Sequence, residues 1–195
     1  MPTPIPPVAA SAEAAAGALL NDWLAAEAAL RERHARGVGP GVAAREQVAR
    51  MDGLSMLRAM QEGRGPTAPI GHTLGFLLVE VGEGRAVFQG TPAPAYFNPM
   101  GGIHGGWYAT LLDSALGCAV HTLMPAGRAY TTSQINIHLV RGIGPQVQRV
   151  RAEGQVIHCG RQMATAEARL VGPDGTLYAH GTTTCLVFDL PPARP

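Results

Sequence analysis

Asn98-Pro-Met-Gly-Gly-Ile-His-Gly-Gly-Trp-Tyr-Ala-Thr-Leu-Leu-Asp113 is the stretch whose reading decides the fold. A glycine-rich turn runs straight into an apolar segment that carries one carboxylate. Trp107, Tyr108, Ala109, Leu111, Leu112, Ala115, Leu116, Ala119 and Val120 leave almost no polar stripe. Residues 104–123 therefore predict a helix enclosed nearly all round, with a buried carboxylate at Asp113. The first turn of a helix has unpaired backbone N–H groups, where a polarised carbonyl oxygen can bind. Asp113 supplies a base or a nucleophile. If the helix begins near His104, Asp113 stands about 13 Å further along the axis, at roughly 1.5 Å per residue. Successive turns of about 100° also place the two residues on opposite faces. One chain cannot easily bring both to one substrate atom. A second copy of the helix, packed antiparallel across a two-fold axis, can.

On the N-terminal side, Phe76–Val81 and Arg85–Gln89 flank Gly82-Glu-Gly84 and predict a β-hairpin. On the C-terminal side, strands are expected at about 130–141, 147–158, 161–171 and 176–188, with a tight turn at Pro173-Asp-Gly175. Arg149, Arg151 and Glu153 alternate with Val150 and Ala152, as on a sheet with one wet face. One long helix wrapped by five or six antiparallel strands is an α+β hotdog architecture. Extra helices precede it. Residues 11–36 predict a helix capped by Ser11, with Ala16, Leu20, Trp23, Leu24 and Leu30 on one stripe. Glu27 falls inside that stripe, so the packed face is imperfect or its far end is wet. A second helical stretch covers about 42–62, interrupted at Gly53. The expected organisation is a disordered Pro-rich tail at 1–10, a helical extension at 11–62, the hotdog domain at 63–190 and a tail at 191–195.

Composition narrows the function. The chain has 195 residues, of which 46% are hydrophobic, and a net charge of +1. Length and apolar content suffice for a real core. All the basic residues are Arg and none is clustered, which argues against nucleic acid as a partner. Cys118, Cys159 and Cys185 are odd in number and widely spaced, as expected of free thiols in a reducing cytoplasm. The N-terminus lacks the basic start of a secretion signal, and no apolar run reaches membrane-spanning length. A cytoplasmic protein with no membrane partner is the expectation.

The run from Asn98 to Asp113, followed by Ser-Ala-Leu-Gly-Cys-Ala-Val, resembles the hotdog-fold acyl-CoA thioesterases, in particular the phenylacetic acid degradation-related branch. Tyr130–Asn136, Gly160–Glu167 and Asp174–Gly181 resemble later strands of that family, and the likeness covers about 50–190. The resemblance implies that the Gly105 N–H polarises the thioester carbonyl and that Asp113 is the catalytic carboxylate supplied from the partner subunit. It also implies that Asn98 helps hold the thioester or the water, that His104 orients the turn, and that Thr132 stands near the carboxylate. A homodimer, or two dimers packed as a tetramer, is expected on the same ground. Residues 1–45 fall outside the likeness.

The chemistry can be argued separately. Thioester hydrolysis needs an oxyanion donor, an activated oxygen and a leaving group, and a thiolate leaves readily. One backbone N–H at a helix start can lower the barrier by ~3 kcal/mol. A buried Asp113 needs hydrogen-bond donors, which Thr132 or a backbone group could supply. Gly106 belongs to the substrate-binding turn or to close helix packing. Asn98 is also a turn former, and Arg141 and Arg161 are placed to meet CoA phosphates or solvent. No metal is expected, because His121, His138, His158, Cys159 and His180 lack ligand spacing. No cofactor is expected either, CoA being part of the substrate. The expected function is hydrolysis of acyl-CoA to free acid and CoA. The alternative is a non-catalytic acyl-CoA binding or sensing protein, and an enoyl-CoA hydratase lacks its Asp–His pair here.

Overall fold

The computed structural model describes residues 8–190. Of the tails expected at 1–10 and 191–195, residues 1–7 and 191–195 lie outside the described residues, and residues 8–10 belong to a helix. The element that organises the rest is the apolar helix α5 (Gly105–His121). Six strands wrap it: β1 (Phe76–Gly82), β2 (Arg85–Gly90), β3 (Arg128–Leu139), β4 (Val150–Cys159), β5 (Met163–Val171) and β6 (Leu177–Asp189). They form one antiparallel sheet in the order β1-β2-β4-β5-β6-β3. This is the α+β hotdog architecture, with β1 and β3 at the two edges.

Leu111, Leu112, Ala115, Leu116 and Ala119 of α5 are fully buried. They meet Ala86, Phe88, Val150, Ala152, Ala166, Leu170 and Cys185 on the concave face of the sheet. Each buried leucine contributes about 2 kcal/mol by area. Helix and sheet come unusually close at Gly154 of β4, where a Cβ would stand 2.3 Å from the Ala115 carbonyl oxygen.

Four helices precede the sheet: α1 (Val8–Ala35), α2 (Arg45–Arg50), α3 (Gly53–Gln61) and α4 (Pro69–Thr73). Ser11 lies inside α1 and not at its start, so the expected cap is not where the helix begins. Gly53 does not interrupt a helix but opens α3. Asp52 caps it by accepting from the Ser55 N–H at 2.8 Å, and Gly53 N–H donates to the Met124 carbonyl at 2.8 Å. The short helix α4 is too brief to show a period in the sequence; Pro69 sits in its first turn, where the missing N–H costs nothing.

Helix α1 corrects two expectations. Its Trp23, Glu27 and Leu30 are buried against the convex face of β1 and β2, where Val79 and Val87 complete a second small core. Glu27 is not a flaw in the stripe but its polar centre. Its carboxylate accepts from Arg31 Nε at 2.7 Å, Arg149 Nε at 2.6 Å and Gln89 Nε2 at 2.8 Å. Gln89 Oε1 in turn accepts from Arg151 Nε at 2.9 Å, and Arg151 stacks 4.4 Å over the Trp23 ring. The part of this face at Arg149 and Arg151 is therefore not wet, whereas Glu153 further along β4 is exposed as expected. The helix covers the part with the arginines, and each buried charge has a partner.

Candidate active site

The turn before α5 is built by its own polar side chains. Asn98 Oδ1 accepts from the N–H groups of Met100 at 2.9 Å and Gly102 at 3.2 Å, and the Asn98 N–H donates to the Gly102 carbonyl at 2.8 Å. Gly101 takes a φ of 81° there, which a side chain would strain. Asn98 is thus a turn former through its oxygen, and among the described residues its amide nitrogen has no acceptor. His104 is the N-cap of α5, with Nδ1 accepting from the Gly106 N–H at 2.9 Å. Trp107 N–H closes the first turn on the His104 carbonyl at 2.9 Å. Among the described residues, Gly105 N–H has no acceptor. The cap therefore singles out one free amide, on the residue expected to polarise the carbonyl, and it occupies the Gly106 amide.

Asp113 is exposed in the single chain, contrary to the expectation of a buried carboxylate. Leu111, Leu112, Ala115 and Leu116 face the sheet, whereas Asp113 stands on the part of α5 that the sheet leaves open. Thr132 Oγ1 donates to Asp113 Oδ1 at 3.2 Å. The ladder of β3 and β6 slips immediately afterwards, between Thr132 and Gln134. Ser114 Oγ donates to the Thr110 carbonyl at 2.8 Å, so its hydroxyl is occupied within the helix.

Two groups that sequence reasoning did not assign flank the carboxylate. Burial, then the nearby Asp113 charge, pushes the Cys118 thiol up to about 12. Burial, reinforced by Cys118, Cys185 and Asp113, holds the Tyr130 hydroxyl well above its ordinary range. Both stay protonated at neutral pH, and neither is a nucleophile. Gly117 lets Tyr130 approach: a Cβ there would lie 2.8 Å from the phenolic oxygen. Tyr130 stands inside the motif Tyr-Thr-Thr-Ser, but its spacing alone does not reveal that contact.

Strand β3 runs along α5 in the opposite sense. Its start packs at Gly117 through Tyr130, and its end reaches Gly105, where a Cβ would lie 3.0 Å from Leu139 Cδ1. Arg141 lies just past that end, in a shallow pocket with Tyr108 and Ile103 beside the start of α5. Arg161 lies at the other end, where its carbonyl accepts from Arg128 at the start of β3. One chain does not bring the two arginines together. A cavity of about 540 Å³ opens at Asp113, Thr132 and Tyr130. Among the described residues no cluster of three metal-ligating side chains occurs. No described helix is long and apolar enough to cross a membrane.

Comparison with known proteins places this arrangement. The thioesterase superfamily model matches residues 100–179, the span from the turn to β6. An X-ray structure of a thioesterase superfamily protein is 32% identical, with 69% of this chain and 97% of that one covered and a TM-score of 0.56. The chain belongs to the thioesterase superfamily. A phenylacetic acid degradation-related protein from Ralstonia eutropha is 25% identical over 67% of this chain and 98% of its own, with a TM-score of 0.61. The phenylacetic acid degradation protein PaaI from Thermus thermophilus, solved as a mutant, is 27% identical over 60% of this chain and 97% of its own, with a TM-score of 0.54. No curated protein matches the chain.

Proposed function

We propose that this thioesterase hydrolyses acyl-CoA to a free acid and CoA at sites shared by two copies of the chain. The observation that carries the reading is the separation within one chain of a free Gly105 amide at the start of α5 from an exposed Asp113 held by Thr132. An antiparallel pair of α5 helices removes that separation, because each copy offers its amide where the other offers its carboxylate. Such a pair also brings Arg141 of one copy to the end of the site that holds Arg161 of the other, where CoA phosphates need cations. The long edge strand β3, which among the described residues pairs only with β6, is the natural place for the copies to join.

In this site the Gly105 N–H and the dipole of α5 take up the charge that develops on the thioester oxygen. Asn98 Nδ2 holds the thioester or the water. Asp113 acts as general base, drawing the proton from a water whose oxygen adds to the acyl carbon, or as nucleophile, forming an anhydride that water then opens. In both routes the carbon–sulfur bond breaks and CoA leaves as a thiolate, which takes a proton from solvent. Water is the only co-reactant, so no cofactor or metal is called for. CoA thioesters and three free thiols together favour a cytoplasmic location.

The test is CoA release from a panel of aromatic, short and medium acyl-CoAs by wild type and by Asp113→Asn. A loss of about a hundredfold or more in kcat is expected. Equal turnover by the two proteins would remove Asp113 from the mechanism. Tight binding without turnover by the wild type would favour the non-catalytic acyl-CoA binding reading.

A further inference from the structure

The cavity at Asp113 is a cleft with exposed residues at two ends. At one end stand Asp113 and Thr132. At the other stand Ala35, Pro40, Ala68 and His72, all of them exposed as well. The walls also include buried apolar side chains, Phe76 and Leu78 of β1 and Phe88 of β2. The volume of about 540 Å³ far exceeds what an acetyl group fills. Two chain segments build the second mouth, and backbone hydrogen bonds tie them together. Gly41 N–H donates to the Thr67 carbonyl at 2.9 Å, and Thr67 N–H donates to the Gly39 carbonyl at 2.9 Å. These joined segments carry Val38, Val42 and Ile70, which are 62%, 89% and 48% exposed. A lone exposed apolar side chain is ordinary, but three of them flanking one mouth form a patch.

We propose that the substrates are long-chain acyl thioesters, whose hydrocarbon runs through this open cleft and ends on the apolar rim of Val38, Val42 and Ile70. The proposal rests on the thioesterase reading for the group held at Asp113, and it names the substrate class of that same site. Continuity decides the occupant. The patch borders the mouth of the cleft that the candidate carboxylate lines, so a chain anchored at Asp113 is led to it. An open mouth sets no upper limit on chain length. Each further methylene that leaves water, in the cleft or on the rim, adds to affinity. An aromatic or short acyl group would leave the rim bare.

Binding is measured with non-hydrolysable S-alkyl-CoA thioethers (ethyl, hexyl, dodecyl and hexadecyl) on the full chain, below the concentration at which the ligands form micelles. Wild type is compared with a rim variant carrying Val38→Ser, Val42→Ser and Ile70→Ser. All three positions are exposed, so the fold should tolerate the changes. Wild-type affinity should keep rising along the series, with hexadecyl bound about a hundredfold or more tighter than hexyl. The rim variant should bind hexadecyl about tenfold more weakly and leave ethyl and hexyl unchanged, which also shows that it is folded. Three results would overturn the proposal. One is a wild-type affinity that stops rising at hexyl. Another is hexadecyl binding that the rim changes do not weaken. The third is a rim that serves another partner: wild type, but not the variant, sedimenting with phosphatidylcholine vesicles in the absence of thioether, or the variant forming a smaller assembly by light scattering. Because these ligands cannot turn over, a failure of hydrolysis in the companion assay would sink the catalytic reading and leave the binding result standing.

Discussion

At the scale of single residues, His104 does two things with one ring. It caps α5 and, by occupying the Gly106 amide, leaves the Gly105 amide as the free donor. His104→Ala should cost about 1 kcal/mol of stability, as other lost caps do. It should also lower kcat by about tenfold or more, because the free amide is no longer held in place. His104→Asn, whose side chain caps well, should recover most of both; thermal melts and steady-state rates read the two effects separately. Cys118 makes a contrasting prediction. With its thiol held near 12, almost no thiolate exists at pH 8. Peptide mapping after iodoacetamide treatment should find Cys118 unlabelled in the native protein and labelled once it is unfolded. Asp113 stands out in the sequence because it follows a helix start at a fixed spacing, whereas the roles expected of Asn98, Gly105 and Thr132 rest on the resemblance to the hotdog thioesterases. That Asp113 is exposed could not be read there, because burial depends on how far the sheet curls.

Between elements, the docking of α1 turns on Glu27. Burial alone would raise its carboxyl, but hydrogen bonds from Arg149, Arg31 and Gln89, with the charge of Arg149, outweigh that and hold it below its ordinary value. Its contribution is therefore present in full above about pH 4.5 and is lost as the pH falls through the lower folded value. Glu27→Ala, which strands Arg149 and Gln89, should cost about 2 kcal/mol at pH 7, and the deficit should shrink in acid. Denaturant melts at neutral and acid pH check the sign. Gly154→Ala is the opposite case, apolar and steric. A methyl 2.3 Å from the Ala115 carbonyl forces α5 off β4, and a loss of about 2–3 kcal/mol or failure to fold is expected. The strand runs and α5 were legible because each keeps one period over many residues. Glu27 misled because a carboxylate in a stripe reads as water until its three partners, drawn from α1, β2 and the approach to β4, are in place. Gly53 misled because only the tertiary contact with Met124 shows it to be a beginning.

For the whole molecule, the decisive question is whether one site needs two chains. Mixing two individually inactive proteins, Asp113→Asn and a Gly105→Pro variant that lacks the free amide, answers it. If sites are shared, half of the re-formed pairs are mixed, and each mixed pair holds one intact site. About a quarter of wild-type activity should appear after subunits exchange, read as CoA release against each variant alone. No recovery, with exchange proved by mass spectrometry, would mean that each chain works by itself.

The two borders of the sheet differ. At β1 the ladder skips Val79 between Leu78 and Glu80, and Gln61 from α3 donates its side-chain amide to the Val79 carbonyl. At β3 the run from Arg128 to Leu139 is open on its outer side. If copies join at β3, the edge left on each pair is β1, whose ladder is broken at Val79 and met there by Gln61. Growth along the sheet should halt at pairs and never become a ribbon, even when copies are crowded in the cell.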